Sequence, residues 1–177
     1  MDHEPCRMTL SEEDRRLAGR WAADCAERVL SVFETKSPTD PRPREAIEAG
    51  RTFARGGRRT GKLRSLALAA YAAARDVGDP AAAAAARAAG LAASTAYTHA
   101  QEKPDQAKHF LGPAVYAARA RELAADDDSD IGDEEIRWAI EHASPEVRAV
   151  VGRWPARGPG RGRLDALYYD LDAGLRR

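Results

Sequence analysis

Seven residues spread along the chain have side chains suited to holding a small ligand or a partner protein. Phenols, imidazoles and carboxylates make directed hydrogen bonds, and aromatic rings add apolar contact area. If helices bring these side chains together, we expect a polar pocket between the helices. The candidate residues are Trp21, Asp24, Tyr71, Tyr97, His99, His109 and Tyr116.

Asp24 is the one carboxylate in this group, and it is flanked by apolar residues of the first predicted helix. Cys25 lies on the apolar face of that helix, which is typical of a packed thiol and not of a nucleophile. We interpret Asp24 as part of a structural ion pair. Its candidate partners are Arg28, one turn further on, and Arg42 or Arg44 of the next helix.

Neither a metal site nor a catalytic set is predicted, and no cofactor is expected. His99 and His109 are ten positions apart, whereas a metal-binding pair on one helix needs a spacing of three or four. The acidic segment Asp126–Glu135 lacks the glycine and glutamate that a calcium loop needs at its sixth and twelfth positions. Counted from its first residue, those positions hold Ile131 and Arg137. The sequence therefore favours a binding protein over an enzyme.

A basic run with no acidic residue inside it is the second candidate site. It can meet phosphate or an acidic partner, or it can be a solvated turn with cations at a helix end. Gly56, Gly61 and Lys62 have the outline of a phosphate-binding loop, but Leu63 replaces the required Ser or Thr and no strand precedes it. The run consists of Arg51, Arg55, Arg58, Arg59, Lys62 and Arg64.

The elements that must position these residues are predicted to be helices. Alanine, the best helix former, dominates the apolar residues, and no stretch alternates β-branched and polar residues as a strand would. Apolar residues recur at helical spacing over about residues 11–34 and again over 63–77. Residues 81–100 carry only Arg87 as a charge, which predicts a buried central helix. We expect an all-α, single-domain bundle of about six to eight helices around this Ala-rich helix.

The chain divides into four segments by its pattern. Residues 1–8 are predicted to form a flexible tail, and residues 9–155 the helical bundle. Residues 156–163 form a Gly/Arg-rich linker, and residues 164–177 an amphipathic helix that docks on the bundle or on a partner. Within the bundle, either a helix begins near Pro113 or a longer helix kinks there and leaves the His109 carbonyl without its partner. We favour a new helix, because proline disrupts a helix interior.

Charge and hydropathy restrict the partners. The 28 basic and 28 acidic residues give a formal net charge of +0, which argues against nucleic acid as the partner. No apolar run has the ~18–20 residues of a membrane span. The acidic start of the chain is not a signal peptide, and two cysteines make no disulfide framework, so a cytoplasmic location is expected. The oligomeric state stays open.

Several segments in order along the chain carry a resemblance to a known protein family. They are Met8–Leu17, Trp21–Leu30, Asp40–Ala49, Gly78-Asp79-Pro80, Thr98-His99, Gly112, Tyr116-Ala117-Ala118 and Ser144–Arg148. Together they resemble the bacterial immunity proteins of the immunity-protein-five-like group over roughly residues 8–151. The resemblance implies an all-helical protein that binds and blocks a cognate toxin, with no catalysis and no cofactor.

Two other functions remain open from the residues themselves. A pocket between helices can hold a small molecule, either as a binding protein or as a cofactor-free enzyme of specialised metabolism. The basic run Arg51–Arg64 can bind nucleic acid through its charges.

Overall fold

The computed structural model describes residues 8–100 and 104–177, and within those ranges the chain is all-α. The described part forms nine α-helices and a short 3-10 helix at Thr95–Tyr97, and it contains no strand. The predicted fold class is therefore confirmed. The α-helices are α1 (Glu12–Glu27), α2 (Leu30–Lys36), α3 (Arg42–Ala54), α4 (Gly61–Asp76), α5 (Pro80–Ser94), α6 (Pro104–Ala124), α7 (Ser129–His142), α8 (Pro145–Val151) and α9 (Arg163–Leu175).

Short polar side chains begin several of these helices. The Ser11 hydroxyl accepts a 3.0 Å hydrogen bond from the Asp14 backbone N–H, and the Asp14 carboxylate accepts one from the Ser11 N–H, which makes a capping box at α1. The side chains of Thr60, Asp79 and Ser144 each accept a hydrogen bond from the backbone N–H three residues further on, which caps α4, α5 and α8. Each such cap is worth about 1 kcal/mol, so the starts of these helices are well fixed.

The Ala-rich helix α5 lies in the centre of the bundle, as predicted. Ten of its 15 residues are buried, and it packs against α1, α2, α3, α4 and α6. Small residues let the neighbouring backbones come close. A Cβ built on Gly50 of α3 would lie 3.5 Å from the backbone of Ala92 and Ala93 in α5.

Two apolar clusters make up the core. The first is built mainly from alanines of α1, α3, α4 and α5, with Phe33 and Phe53 as its large members. The second holds larger side chains from α1 and α6 to α9. Its rings pack in sequence: Trp21 lies 6.5 Å from Phe110, and Phe110 lies 5.3 Å from Trp154, between centroids.

Two predicted boundaries were wrong. The first helix does not run unbroken to residue 34, because Val29 has non-helical backbone angles between α1 and α2. A new helix does not begin at Pro113 either, since α6 runs through it. Proline removes the N–H that the His109 carbonyl would accept, at a cost of about 3 kcal/mol. Burial of neighbouring side chains such as Leu111 and Val115, both fully buried, offsets that cost.

The C-terminal helix α9 docks on α6 and α7. Leu167, Leu171 and Leu175 are buried, and Arg163 at the start of the helix pairs with the buried carboxylate of Glu122, with Nε and Oε1 2.6 Å apart. Of the two alternatives for this helix, the structure shows docking on the bundle. Residues 1–7 of the predicted tail lie outside the described residues, while Met8 is buried. Among the described helices, none has the length and hydropathy to cross a bilayer.

Candidate functional site

Five of the seven predicted ligand residues line two adjoining clefts on one face of the bundle. The smaller cleft measures about 310 Å³ and the larger about 720 Å³. They share Leu68, Tyr71 and His109, so we treat them as one site and name it the tyrosine cleft. Its lining is Arg64, Ala67, Leu68, Tyr71, Arg75, Arg87, Leu91, Ser94, Tyr97, Thr98, His99, Gln106, Lys108, His109, Tyr116 and Tyr168.

Four elements supply the walls of the tyrosine cleft. Arg64, Leu68, Tyr71 and Arg75 follow one another on α4 at spacings of four, three and four, which places them on one side of that helix. The end of α5 with the 3-10 turn forms the second wall, α6 the third, and Tyr168 of α9 the last. Helical walls hold these side chains more rigidly than loops would.

A glycine makes room for the ring at the base of the cleft. A Cβ built on Gly90 would lie 2.8 Å from the Tyr71 ring, which is closer than real Cβ atoms approach. The absence of that atom lets the ring lie against α5, where the Tyr71 hydroxyl is 3.1 Å from the Ser94 hydroxyl. The Ser94 hydroxyl in turn donates to the Gly90 carbonyl at 2.9 Å. Position and orientation of Tyr71 are therefore fixed by α5.

The phenols of Tyr71 and Tyr168 stay protonated at neutral pH. Burial raises the pKa of Tyr71, although its hydrogen bond with Ser94 partly opposes this, and the nearby Tyr116 phenol raises it further. Burial also raises the pKa of Tyr168, again with a contribution from Tyr116. Both hydroxyls already donate within the protein, Tyr71 to the Ser94 hydroxyl and Tyr168 to the Lys108 carbonyl at 3.5 Å. Their rings and their oxygens, as acceptors, are therefore what these two tyrosines offer a ligand.

Positive charge dominates the cleft. Arg64, Arg75, Arg87 and Lys108 line it, and none of the described residues in its lining is aspartate or glutamate. Leu68 lies among these cations with 59% of its surface exposed. The arrangement combines an apolar centre, tyrosine rings and a cationic rim.

Trp21 and Asp24, the other two predicted residues, do not reach the cleft. Trp21 is buried in the second core cluster and donates from Nε1 to the Ala139 carbonyl at 3.0 Å. Asp24 makes an ion pair, but with Arg51 at 2.7 Å, and its second carboxylate oxygen lies within hydrogen-bond distance of His142 Nε2, at 3.1 Å. The three candidate arginines pair elsewhere: Arg28 with Glu135, Arg42 with Asp40 and Asp76, and Arg44 with Glu34.

The basic run does not form one continuous patch. Arg51 is held by Asp24 and Glu27, and Arg59 donates to the Ala96 carbonyl at 2.9 Å while pairing with Glu12 at 3.3 Å. Arg64 turns into the tyrosine cleft. The remaining cations lie in clefts that also contain acids: Arg58 and Lys62 with Glu45 and Glu48, and Arg55 with Glu27 and Glu48.

Within residues 8–100 and 104–177 no group of three His, Cys, Asp or Glu side chains is placed to hold a metal ion. Of the acidic loop, Asp127 pairs with Arg119 at 2.5 Å and Asp128 caps α7. Burial raises the pKa of the Cys25 thiol, which keeps it protonated and unreactive. These groups have structural roles, so the tyrosine cleft is the strongest candidate site.

Sequence reasoning missed ten of the 16 lining residues, and five of these carry a charge or a large side chain that shapes the cleft. Leu68 and Arg75 could have been found, because they share a helical face with Tyr71. Arg87 was noticed only as the one charge of the central helix. Lys108 and Tyr168 carry no local signal, since only the packing of α6 against α5 and of α9 against α6 brings them to the same face.

The chain matches the model of a known protein family. A family model described as Imm-5 like putative immunity protein covers residues 8–146. The chain belongs to this family. The match spans α1 to α7 and includes every residue of the tyrosine cleft except Tyr168. No curated protein and no solved structure gives a significant match.

Proposed function

We propose that this protein binds and neutralises a toxin protein. Family membership over residues 8–146 is the observation that carries the proposal, because the family is described as one of immunity proteins. The resemblance recognised in the sequence, that of a toxin-blocking helical protein, agrees with it.

The surface supports a role in protein binding. Tyrosine and arginine are enriched where protein interfaces gain most of their affinity, and aromatic or apolar anchors lie at the centre of such patches. The tyrosine cleft presents an exposed Leu68, three tyrosines on α4, α6 and α9, and arginines at its edge. Because α4 and α5, two of the walls, are helices with capped starts, little order has to be gained there on binding.

Co-expression tests the proposal directly. Toxin genes encoded beside this one are expressed singly in bacteria with and without this protein, and viable cells are counted. We expect growth to be restored for one toxin, and an equimolar complex with it in size-exclusion chromatography. If every adjacent toxin kills equally in both cases and forms no complex, the proposal is wrong.

A small-molecule function is the second candidate, because one observation favours it. The smaller part of the cleft, about 310 Å³, is lined by Tyr71, Tyr97, His99 and His109, and its volume is in the range of ligand sites. Native mass spectrometry of protein purified from its own host tests it. A bound compound that is lost in Tyr71→Ala would favour binding or cofactor-free conversion of a small molecule. A spectrum of protein without adduct would count against this candidate.

A further inference from the structure

We propose that the tyrosine cleft is the docking site for the toxin, and that its occupant is an acidic segment of the toxin with an apolar side chain that covers Leu68. This inference rests on the proposed function. It adds the surface, the chemistry of the partner and the anchor.

Charge is the first argument for an acidic occupant. The whole chain is neutral, with 28 basic and 28 acidic residues, yet Arg64, Arg75 and Arg87 share a face whose described lining contains no acid. Such a group of guanidinium groups attracts an anionic partner from a distance and orients it as it approaches. A cationic or neutral segment would gain no such attraction.

The centre of the cleft is the second argument, because it requires an apolar anchor. Leu68 is 59% exposed, and Leu68 and Tyr169 are the two large apolar side chains that the described structure leaves exposed. Leu68 lies beside Tyr71, a half-buried aromatic ring in the same lining. Covering this pair removes apolar area from water at the centre of a charged rim, which is the usual anatomy of a binding hot spot.

Hydrogen-bonding capacity in the cleft favours a peptide segment over a simple anion. Thr98 is 3% exposed, and neither its hydroxyl oxygen nor the Gln106 side-chain oxygen has a hydrogen-bond partner within the described residues. Both residues line the smaller cleft. A polypeptide offers N–H donors for the Gln106 oxygen and carboxylate or carbonyl acceptors for the Thr98 hydroxyl. An inorganic anion offers acceptors alone.

The basic run is a poorer site for the same partner. Arg51 and Arg59 already hold internal partners. Arg58 and Lys62 share their cleft with Glu45 and Glu48, which would repel an acidic segment. The run therefore offers a matched control with similar residue types and a different prediction.

Affinity measurements on paired variants test the inference. The probe is the catalytically inactivated toxin that this protein protects against, and its affinity is measured by titration calorimetry at two salt concentrations. The first test variant is Leu68→Glu, and its control is Tyr169→Glu. The second test variant replaces both Arg75 and Arg87 by Glu, and its control replaces both Arg55 and Arg58 by Glu. All four sets change exposed side chains, so unchanged melting temperatures are expected and are checked first.

We expect Leu68→Glu to weaken the complex by about 30-fold or more, as loss of a hot-spot anchor does. The Arg75/Arg87 reversal should weaken it by about tenfold and reduce its salt dependence, and both controls should stay within about twofold. Replacing acidic clusters of the toxin by Asn and Gln, one cluster at a time, should identify the docked segment. Its replacement should lower the affinity as much as the Arg75/Arg87 reversal does.

Three outcomes would overturn the inference. Cleft variants that bind as the unchanged protein does would move the docking site elsewhere and leave the proposed function intact. Failure of the unchanged protein to bind any toxin would remove both proposals. Tight binding of a DNA or RNA oligonucleotide that is lost in the Arg75/Arg87 reversal would make nucleic acid the occupant instead.

Discussion

Two regions of this molecule are rich in cations, and they differ in what surrounds the charges. In the basic run six cations fall within 14 residues of sequence, yet the fold disperses them around the α3–α4 turn and pairs Arg51 and Arg59 with carboxylates. In the tyrosine cleft four cations come from α4, α5 and α6 and meet on a face without acids in its described lining. The number of cations in a stretch of sequence is therefore a poor guide to the electrostatic potential at the folded surface. That potential depends on which side chains from separate helices meet on one face.

The largest expected difference between the two regions is in how much their ion pairs contribute to the free energy of unfolding. Glu122 is fully buried and pairs with Arg119 and with Arg163 of α9, the helix that brings Tyr168 to the cleft. Glu27, which pairs with Arg51 of the basic run, is 56% exposed. We expect Glu122→Gln to lower the free energy of unfolding by about 2–3 kcal/mol, and Glu27→Gln by about 1 kcal/mol or less. Urea denaturation measures both.

Equal losses from the two substitutions would contradict this part of the comparison. A further check is the amide hydrogen exchange or the fluorescence of α9. We expect α9 to lose protection from exchange in Glu122→Gln and to keep it in Glu27→Gln.

Two glycines offer a second, smaller contrast between the regions. Alanine at position 90 must push the Tyr71 ring, because the new Cβ would lie 2.8 Å from it. Alanine at position 61, the first residue of α4 in the basic run, meets nothing within 4 Å. We expect Gly90→Ala to destabilise the fold by about 1–2 kcal/mol and to weaken toxin binding, and Gly61→Ala to stabilise it by up to about 1 kcal/mol. Thermal unfolding and toxin titration measure both effects. If the Tyr71 ring can move aside freely, Gly90→Ala will be no less stable than Gly61→Ala, and the contrast fails.

The smallest expected effect is a loss of stability at alkaline pH, when the buried phenol of Tyr71 in the tyrosine cleft ionises. Burial raises the pKa of Tyr71 above that of an unfolded tyrosine, about 10. The stability that the neutral phenol contributes is therefore present below about pH 10 and is lost as the pH rises through the folded-state pKa. The variant Tyr71→Phe has no group that titrates at this position. Between about pH 9 and 11, on either side of the unfolded tyrosine pKa, it should therefore lose less stability than the unchanged protein. Parallel curves for the two proteins would refute the claim that this phenol is protonated and buried.

Helices were predictable from this sequence because their signals are local. Ser11, Thr60 and Asp79 begin helices through contacts with residues three positions away, and the alanines of α5 have a high helix propensity wherever they lie. The break at Val29 and the passage of α6 through Pro113 were not predictable. In both cases packing against distant helices overrides the local preference.

Prediction of the site from the sequence was incomplete for the same reason. Tyr71, Tyr97, His99, His109 and Tyr116 were chosen for their chemistry, and the structure brings all five to one cleft. Trp21 and Asp24 were chosen on the same grounds, but the side of α1 on which they lie faces α7 and α3 instead. Residue type alone does not reveal which helix a face will meet.

A crystal structure of the equimolar complex with the toxin tests the central claim most directly. The account predicts that Leu68 becomes buried and that carboxylates of the toxin lie about 3 Å from the guanidinium groups of Arg75 and Arg87. A complex in which Leu68 keeps its 59% exposure while the toxin contacts Arg55 and Arg58 would contradict it.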